Sequence, residues 1–236
     1  MITLDNVTKT YQLGKGASVT AVSGVNLEIN QGEFMLIVGR SGSGKTTLLN
    51  LAAGLTQPTS GKVLMDSTNL WDLTDPQQSF LRNQKIGFVF QFPSLLPSLT
   101  VLENVILPSV FGLKPDPGKV QERATGLLQE VGLEDKLAAY PRQLSAGQQQ
   151  RVVIARALMN QPVMVLADEP TSNLDEKTEL EIMDLFRDLH REMGITVVMV
   201  THTRQLVSYG TRAVEMANGQ IVNGHGKAYS TQYIGG

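Results

Sequence analysis

The sequence predicts an α/β fold: a mixed sheet flanked by helices, with an antiparallel β subdomain and an inserted helical subdomain. Three observations predict it. Phe34–Val38 is an apolar run, followed by the glycine-rich stretch Gly39-Arg40-Ser41-Gly42-Ser43-Gly44-Lys45-Thr46-Thr47 and then by Leu48, Leu49 and Leu51 at helical spacing, which reads strand, turn, helix. Val163–Ala167 is a second apolar run, and it ends in Asp168 and Glu169. Residues 2–38 alternate apolar and polar in the manner of half-buried strands, whereas the section from Phe92 to about Ala157 turns mostly helical.

A chain of 236 residues is one domain, or one domain with an insertion. The expected boundaries are a single domain over 1–236, a helical subdomain inserted over 92–157, and a tail over 225–236. A net charge of −2 gives no footprint for a nucleic-acid partner. The absence of cysteine excludes disulfides, thiolate metal sites and cysteine nucleophiles, and it fits a reducing compartment. Met1-Ile2-Thr3-Leu4-Asp5 lacks the basic start and apolar run of a signal peptide, and no apolar run approaches the ~18 residues of a membrane span. The chain is therefore expected to be soluble, with any membrane part of its work supplied by another chain.

In order along the chain, Ile2, Leu4 and Val7 open a short strand, and Val19–Val22 and Val25–Ile29 form two more. Tyr11 lies between them, before a Gly14-Lys15-Gly16 loop. The helix after the glycine-rich stretch extends to about Leu55, where Pro58-Thr59-Ser60-Gly61 breaks the chain. Lys62–Met65 is a strand, Asp75–Asn83 a helix capped by Thr74 or Asp75, and Ile86–Phe90 a strand ending at Gln91. Phe92–Thr100 is apolar, proline-limited and without a clean period, a surface that suggests contact with a partner. Helices are expected at Val101–Leu107, Gly118–Val131 and Glu134–Ala139, and again after Ser145, which stands where an N-cap belongs. Asp175 caps a helix over Glu176–Met193, whose buried stripe is Ile182, Leu185, Phe186, Leu189 and Met193, and Gly194 ends it. Ile195–Val200 is a strand leading to Thr201-His202, Arg204–Tyr209 a short helix, and Ala213–Met216 with Gln220–Val222 a hairpin turning at Asn218-Gly219.

The stretch 39–47 fits the G-x-x-x-x-G-K-[ST] phosphate-loop pattern in full. Its glycines let the backbone curl so that successive N–H groups face one anion, with a helix N-terminus behind them. Lys45 adds a point charge for β- and γ-phosphates, and Thr46 a hydroxyl for Mg²⁺. Asp168 fits the strand-end carboxylate that holds Mg²⁺ in phosphate-loop NTPases, and Glu169 is then a candidate to polarise the attacking water. Tyr11 is a stacking plate for a nucleobase or simply a strand-end rim residue. Gln91 is a ligand contact or a solvated loop amide, and His202 a γ-phosphate sensor or a structural histidine. Leu144-Ser145-Ala146-Gly147-Gln148 is a capped helix start and a second candidate anion site.

Taken together these motifs resemble the ATP-binding cassette (ABC) ATPases over about residues 2–224, with the family's order kept: phosphate loop 39–47, Q-loop Gln91, signature 144–148, the strand end Asp168-Glu169, D-loop 172–175 and switch His202. The resemblance implies a P-loop NTPase core with a RecA-like sheet, ATP and Mg²⁺ as ligands, and ATP hydrolysis as the activity. It implies that Tyr11 stacks on adenine, that Gln91 contacts Mg²⁺ and links to a membrane partner, that Glu169 is the catalytic base and that His202 holds the γ-phosphate. In this family two cassettes pack head to tail, so Ser145, Ala146, Gly147, Gln148 and Asp175 would serve ATP bound on a second ABC ATPase subunit, most simply in a homodimer. Two departures stand out. The family usually has Ser-Gly-Gly-Gln where this chain has Ser145-Ala146-Gly147-Gln148, and Asn173 replaces a common Ala. Because Ala disfavours positive φ, hydrolysis is expected to be slower than in an Ala146→Gly variant.

The run Ile86–Gln91, then Leu95-Leu96-Pro97 and Leu102-Glu103-Asn104-Val105, is similar to the lipoprotein-release and macrolide-efflux branch. That implies a peripheral subunit at the cytoplasmic face of the inner membrane, energising a separate permease that contacts the Phe92–Leu102 region, for export or mechanical release of lipoprotein, lipid, macrolide or peptide cargo. Amino-acid importer cassettes share much of this pattern. A soluble ABC ATPase acting on ribosomes or DNA is the alternative from another class, although such chains usually carry two cassettes or long coiled coils. A phosphate-loop kinase would not need the signature run.

Overall fold

The computed structural model describes residues 1–14, 16–111 and 116–223. In chain order these form strands β1 (Ile2–Leu13), β2 (Ala17–Ile29) and β3 (Phe34–Val38), helix α1 (Lys45–Ala52), strands β4 (Ser60–Met65) and β5 (Thr68–Asn69), and helix α2 (Asp75–Lys85). Strand β6 (Ile86–Val89), helices α3 (Val101–Ile106), α4 (Pro117–Glu130) and α5 (Ala146–Leu158), strand β7 (Met164–Asp168) and helix α6 (Glu176–Met193) follow. Strands β8 (Thr196–Thr201), β9 (Arg212–Ala217) and β10 (Gln220–Asn223) come last. The chain divides into two compact units, one of Met1–Gln78 with the residues from Thr196 onward, the other Ser79–Ile195. Lys15 of the first glycine loop and the expected tail over 225–236 lie outside the described residues.

In the first unit β1 pairs antiparallel with β2 and β4, in the order β2-β1-β4-β5. Ile2, Leu4 and Val7 are buried although the last is out of phase with the first two. The reason is an irregularity between Leu4 and Val7, where Asn6 takes φ 47 and inserts a bulge that resets the alternation. The same device joins what the sequence divides into two strands: β2 runs unbroken through Gly24 at φ 60, and Val22 and Val25 both face inward. The second sheet of this unit is mixed. β3 lies parallel to both β8 and β9, and β9 turns back antiparallel into β10 through Asn218 (φ 50) and Gly219 (φ 77). Every residue of β3 and β8 is buried, as expected of strands covered on both faces. Helix α1 stops at Ala52, short of the expected Leu55. Gly54 takes φ 64, Gly54 N–H donates to Leu51 O at 3.0 Å and Leu55 N–H to Asn50 O at 2.9 Å, a Schellman end that satisfies the last carbonyls.

In the second unit β6 and β7 pair in parallel, Ile86 opposite Met164 and Val89 opposite Ala167. Helix α5 packs against β6, α3, α4 and α6. A Cβ at Gly87 would stand 2.3 Å from the Ala157 carbonyl oxygen, so only glycine lets β6 and α5 approach this closely. The expected helix at Glu134–Ala139 is instead a series of turns. The carbonyls of Leu137 and Ala139 accept from Leu102 N–H (3.1 Å) and Val101 N–H (2.8 Å), the unpaired first donors of α3, and a helix would have turned them inward on itself. Helix α6 spans the expected residues, but its buried face is Ile182, Met183, Phe186 and Leu189. Leu185 is half-buried and Met193 exposed, so the stripe sits about one residue round from its expected position.

Candidate functional site

The first unit holds the phosphate loop. Val38, the last residue of β3, lies opposite Thr201 on one side and Glu215 on the other. Gly39 and His202 are therefore the next residues on two neighbouring parallel strands, at the carboxyl edge where α/β sheets hold ligands. Gly44 takes φ 101, and a Cβ there would stand 2.2 Å from the Ala21 carbonyl oxygen of β2. A Cβ at Gly39 would stand 2.4 Å from the Met216 carbonyl oxygen and 2.7 Å from Ser43 Oγ. No side chain fits at either position, and the loop stays tight against β2 and β9.

Lys45 opens α1 and is 4% exposed, yet its Nζ donates to the carbonyl oxygens of Gly39 (2.8 Å) and Arg40 (3.1 Å). The ammonium is folded over the loop that precedes it. Ser43 Oγ is buried and has no hydrogen-bond partner among the described residues, which ordinarily costs a protein about 1–3 kcal/mol. A glycine-only cradle, a buried ammonium and an orphaned hydroxyl together fit a phosphate chain. Arg40, Ser41, Gly42 and Thr46 are exposed and Thr47 half-buried. Tyr11 is exposed on β1 opposite Val19, which stands two residues, about 7 Å, along β2 from Ala21. Strand β2 thus ties the aromatic to the Gly44 end of the loop, and Lys9 Nζ lies 5.1 Å from the Tyr11 ring centre. His202 is exposed beyond the buried Thr201, whose Oγ1 accepts from Thr203 N–H at 3.0 Å.

The second unit holds Asp168, Glu169 and the signature residues 144–148. All of β7 is buried, and Asp168 closes it at 8% exposure. Glu169 takes φ 45, a left-handed conformation that costs a non-glycine residue about 1 kcal/mol, and the chain turns sharply with Ser172 N–H donating to Glu169 O at 3.2 Å. Strained backbone of this kind gathers at functional sites. Gln91 Nε2 reaches Ser172 Oγ at 3.4 Å, linking the end of β6 to the D-loop. The D-loop is pinned further on: Thr171 Oγ1 donates to Glu179 Oε1 at 2.7 Å, and Asp175 caps α6 by accepting from Thr178 N–H (3.0 Å) and Thr178 Oγ1 (2.7 Å). Those bonds from Thr178 hold the Asp175 carboxyl below the usual carboxylate range.

Ser145 caps α5 as expected, its Oγ accepting from Gln148 N–H at 3.2 Å while Gln148 Oε1 accepts from Ser145 N–H at 3.0 Å. Ala146 is the first residue of that helix and is not among the positive-φ residues. The expectation that its methyl is conformationally disfavoured is therefore corrected: a first-turn helical position suits alanine. Gly147 is buried and helical, but a Cβ there would stand 2.5 Å from Thr178 Cγ2.

Three residues escape a reading of the sequence. Asn104, fully buried on α3, accepts from Leu96 N–H (2.8 Å) and donates to the carbonyls of Leu96, Leu99 and Thr100 (3.1, 3.1 and 2.9 Å), fixing the shape of the 92–100 segment. Arg156 on α5 donates to the Ser94 carbonyl oxygen at 2.6 Å, and burial lowers its pKa. Thr178 is the third. The one available signal is an asparagine among the apolar residues of Val101–Val105. Held this way, the segment leaves Phe92 65% exposed and Leu96 44% exposed. Among the described residues no three His, Cys, Asp or Glu side chains cluster as a metal site, and no helix is long and apolar enough to cross a membrane.

A sequence family described as ABC transporter matches residues 22–172. An uncharacterized ABC transporter ATP-binding protein of Thermotoga maritima is 51% identical over 218 residues, 92% of each chain. The lipoprotein-releasing system ATP-binding protein LolD of Aquifex aeolicus is 47% identical over 201 residues, 85% of this chain and 89% of that one. Among solved structures, the cassette MJ0796 of Methanocaldococcus jannaschii, dimeric in a post-hydrolysis state with ADP and Pi, superposes with a TM-score of 0.87 at 44% identity, covering 95% of this chain and 98% of the other.

Proposed function

This chain belongs to the ABC transporter family as an ATP-binding and ATP-hydrolysing cassette, and on that premise we propose that it powers a separate membrane permease by closing and reopening a dimer around ATP. The observation that carries the nucleotide reading is Lys45, buried at the head of α1 with its ammonium turned onto the Gly39 and Arg40 carbonyls. Backbone N–H groups of the loop 39–47 and the Ser43 hydroxyl bind the phosphates, Lys45 meets the β- and γ-oxygens, and Tyr11 stacks on the base. Thr46, Gln91 and Asp168 are the residues assigned to Mg²⁺, which when bound supplies charge neutralisation at the phosphates. Glu169 orients and polarises the attacking water, and His202 holds the γ-phosphate. Ser145, Ala146, Gly147, Gln148 and Asp175 act on the nucleotide of the second subunit. Support for a dimer comes from the dimeric relative.

The Phe92–Leu102 region, with Phe92 and Leu96 outward, is the assigned permease contact, at the cytoplasmic face of the membrane. The likeness to LolD favours export or mechanical release of lipoprotein, lipid, macrolide or peptide cargo over nutrient import. Two measurements test this. Glu169→Gln should bind ATP, lose hydrolysis by at least about a hundredfold and accumulate as a dimer; hydrolysis at the normal rate would remove Glu169 as base. Detergent extraction of native membranes should recover a permease with the chain. A many-helix importer with a binding protein would redirect the reading to uptake, and ribosomes or DNA in place of a permease would overturn it.

A further inference from the structure

We infer that Thr178 is a positioning residue that sets the signature turn from within its own subunit, and that Gly147 is glycine because the Thr178 methyl occupies its Cβ space. The inference rests on the dimer reading for its functional consequence and on the second unit alone for its geometry. Gly147 has no positive φ and lies inside a helix, where alanine is the better residue. Conformation therefore does not require glycine there. Space does: a Cβ would stand 2.5 Å from Thr178 Cγ2 and 3.9 Å from Thr178 Cβ.

The threonine cannot simply turn away. Its Oγ1 donates to Asp175 Oδ2 at 2.7 Å and its N–H to Asp175 Oδ1 at 3.0 Å. A β-branched side chain on a helix has few rotamers, and swinging Cγ2 aside would break the Oγ1 bond. One side chain thus joins the D-loop cap to the second residue of α5. Moving Asp175 moves the face against which the signature helix rests.

The test uses the full-length chain carrying Glu169→Gln, combined singly with Gly147→Ala, Thr178→Ser and Thr178→Val, and with the Gly147→Ala, Thr178→Ser pair. Three quantities are read: ATP binding to the monomer with a fluorescent analogue, the protein concentration for half-dimerisation in saturating ATP, and the melting temperature without nucleotide. Gly147→Ala should raise the half-dimerisation concentration about tenfold and lower the melting temperature, with monomer ATP affinity within about twofold. Adding Thr178→Ser, which deletes the methyl and keeps the hydroxyl, should restore most of both losses. Thr178→Val, which keeps a methyl and loses the bond to Asp175, should weaken dimerisation without touching monomer ATP affinity.

A double variant no better than Gly147→Ala in dimerisation and melting overturns the inference, as does Thr178→Val dimerising like the parent. A parent that stays monomeric in ATP overturns the dimer reading instead. The melting temperatures of the single and paired variants then still decide whether the methyl is the reason for the glycine.

Discussion

Arg156 Nη1 donates to the Ser94 carbonyl oxygen at 2.6 Å, so the helix that begins at the signature is bonded to the segment that carries Phe92 and Leu96. Arg156 is half-buried, and its planar guanidinium, pre-organised for such a bond, makes it a strut between the two. Arg156→Met keeps the length and removes the donor. It should cost about 1–2 kcal/mol in urea unfolding, leave hydrolysis by the isolated cassette within about twofold, and reduce stimulation by the permease severalfold. Unchanged stimulation would show that the strut carries no motion.

Ser43→Ala should separate folding from binding. The buried Oγ has no partner among the described residues, so its removal is expected to stabilise the chain measured without ATP by roughly 1 kcal/mol. The same change removes a hydrogen bond to phosphate, and ATP affinity should fall about tenfold. Differential scanning calorimetry with and without nucleotide reads both signs; a variant destabilised without ATP would mean the hydroxyl was satisfied after all.

Ala146→Gly should not accelerate hydrolysis. At the first position of α5 the alanine takes a helical conformation, and glycine would weaken the helix start by at most about 1 kcal/mol. Steady-state turnover equal to or below that of the parent is expected, with a slightly lower melting temperature. A faster Ala146→Gly enzyme would show that the methyl obstructs the second subunit's nucleotide.

Asp175 makes stability depend on acid. Its folded-state pKa is depressed by the hydrogen bonds from Thr178, so its contribution is fully present above the unfolded value near 3.9 and is lost as pH falls through the lower folded value. Asp175→Asn keeps a good cap and removes the charge. The acid limb of a stability–pH curve should flatten below about pH 4 while stability at pH 7 changes little. An unaltered limb would assign the acid response elsewhere.

The phosphate loop, the Asp168-Glu169 strand end, the Ser145 cap and the Asp175 cap are legible in the sequence because each is set by residues within one strand–turn–helix passage. Parallel strands are legible for the same reason: β3 and β8 are unbroken apolar runs. What escapes is whatever depends on a distant neighbour. The bulge at Asn6 disguises a continuous strand, the carbonyls of Leu137 and Ala139 are committed to α3, and the burial of Met183 over Leu185 reflects which face α6 presents. Gly147 is the sharpest case. It looks like a residue chosen for backbone freedom, and only the position of Thr178 shows that it is chosen for room.

One backbone atom in β2 has a reach its own sequence does not advertise. The Ala21 carbonyl oxygen stands 2.2 Å from where a Cβ of Gly44 would be and 2.9 Å from where one of Gly219 would be, so two glycines far apart in sequence are held to the same constraint. The constraint falls on the backbone at 21, and so on the chain length on either side of it. A single inserted or deleted residue between 17 and 24 would shift this carbonyl along the strand by about 3.4 Å and disturb the phosphate loop and the β9–β10 turn together. Among related chains, gaps in alignment should therefore avoid β2, however variable its exposed side chains become.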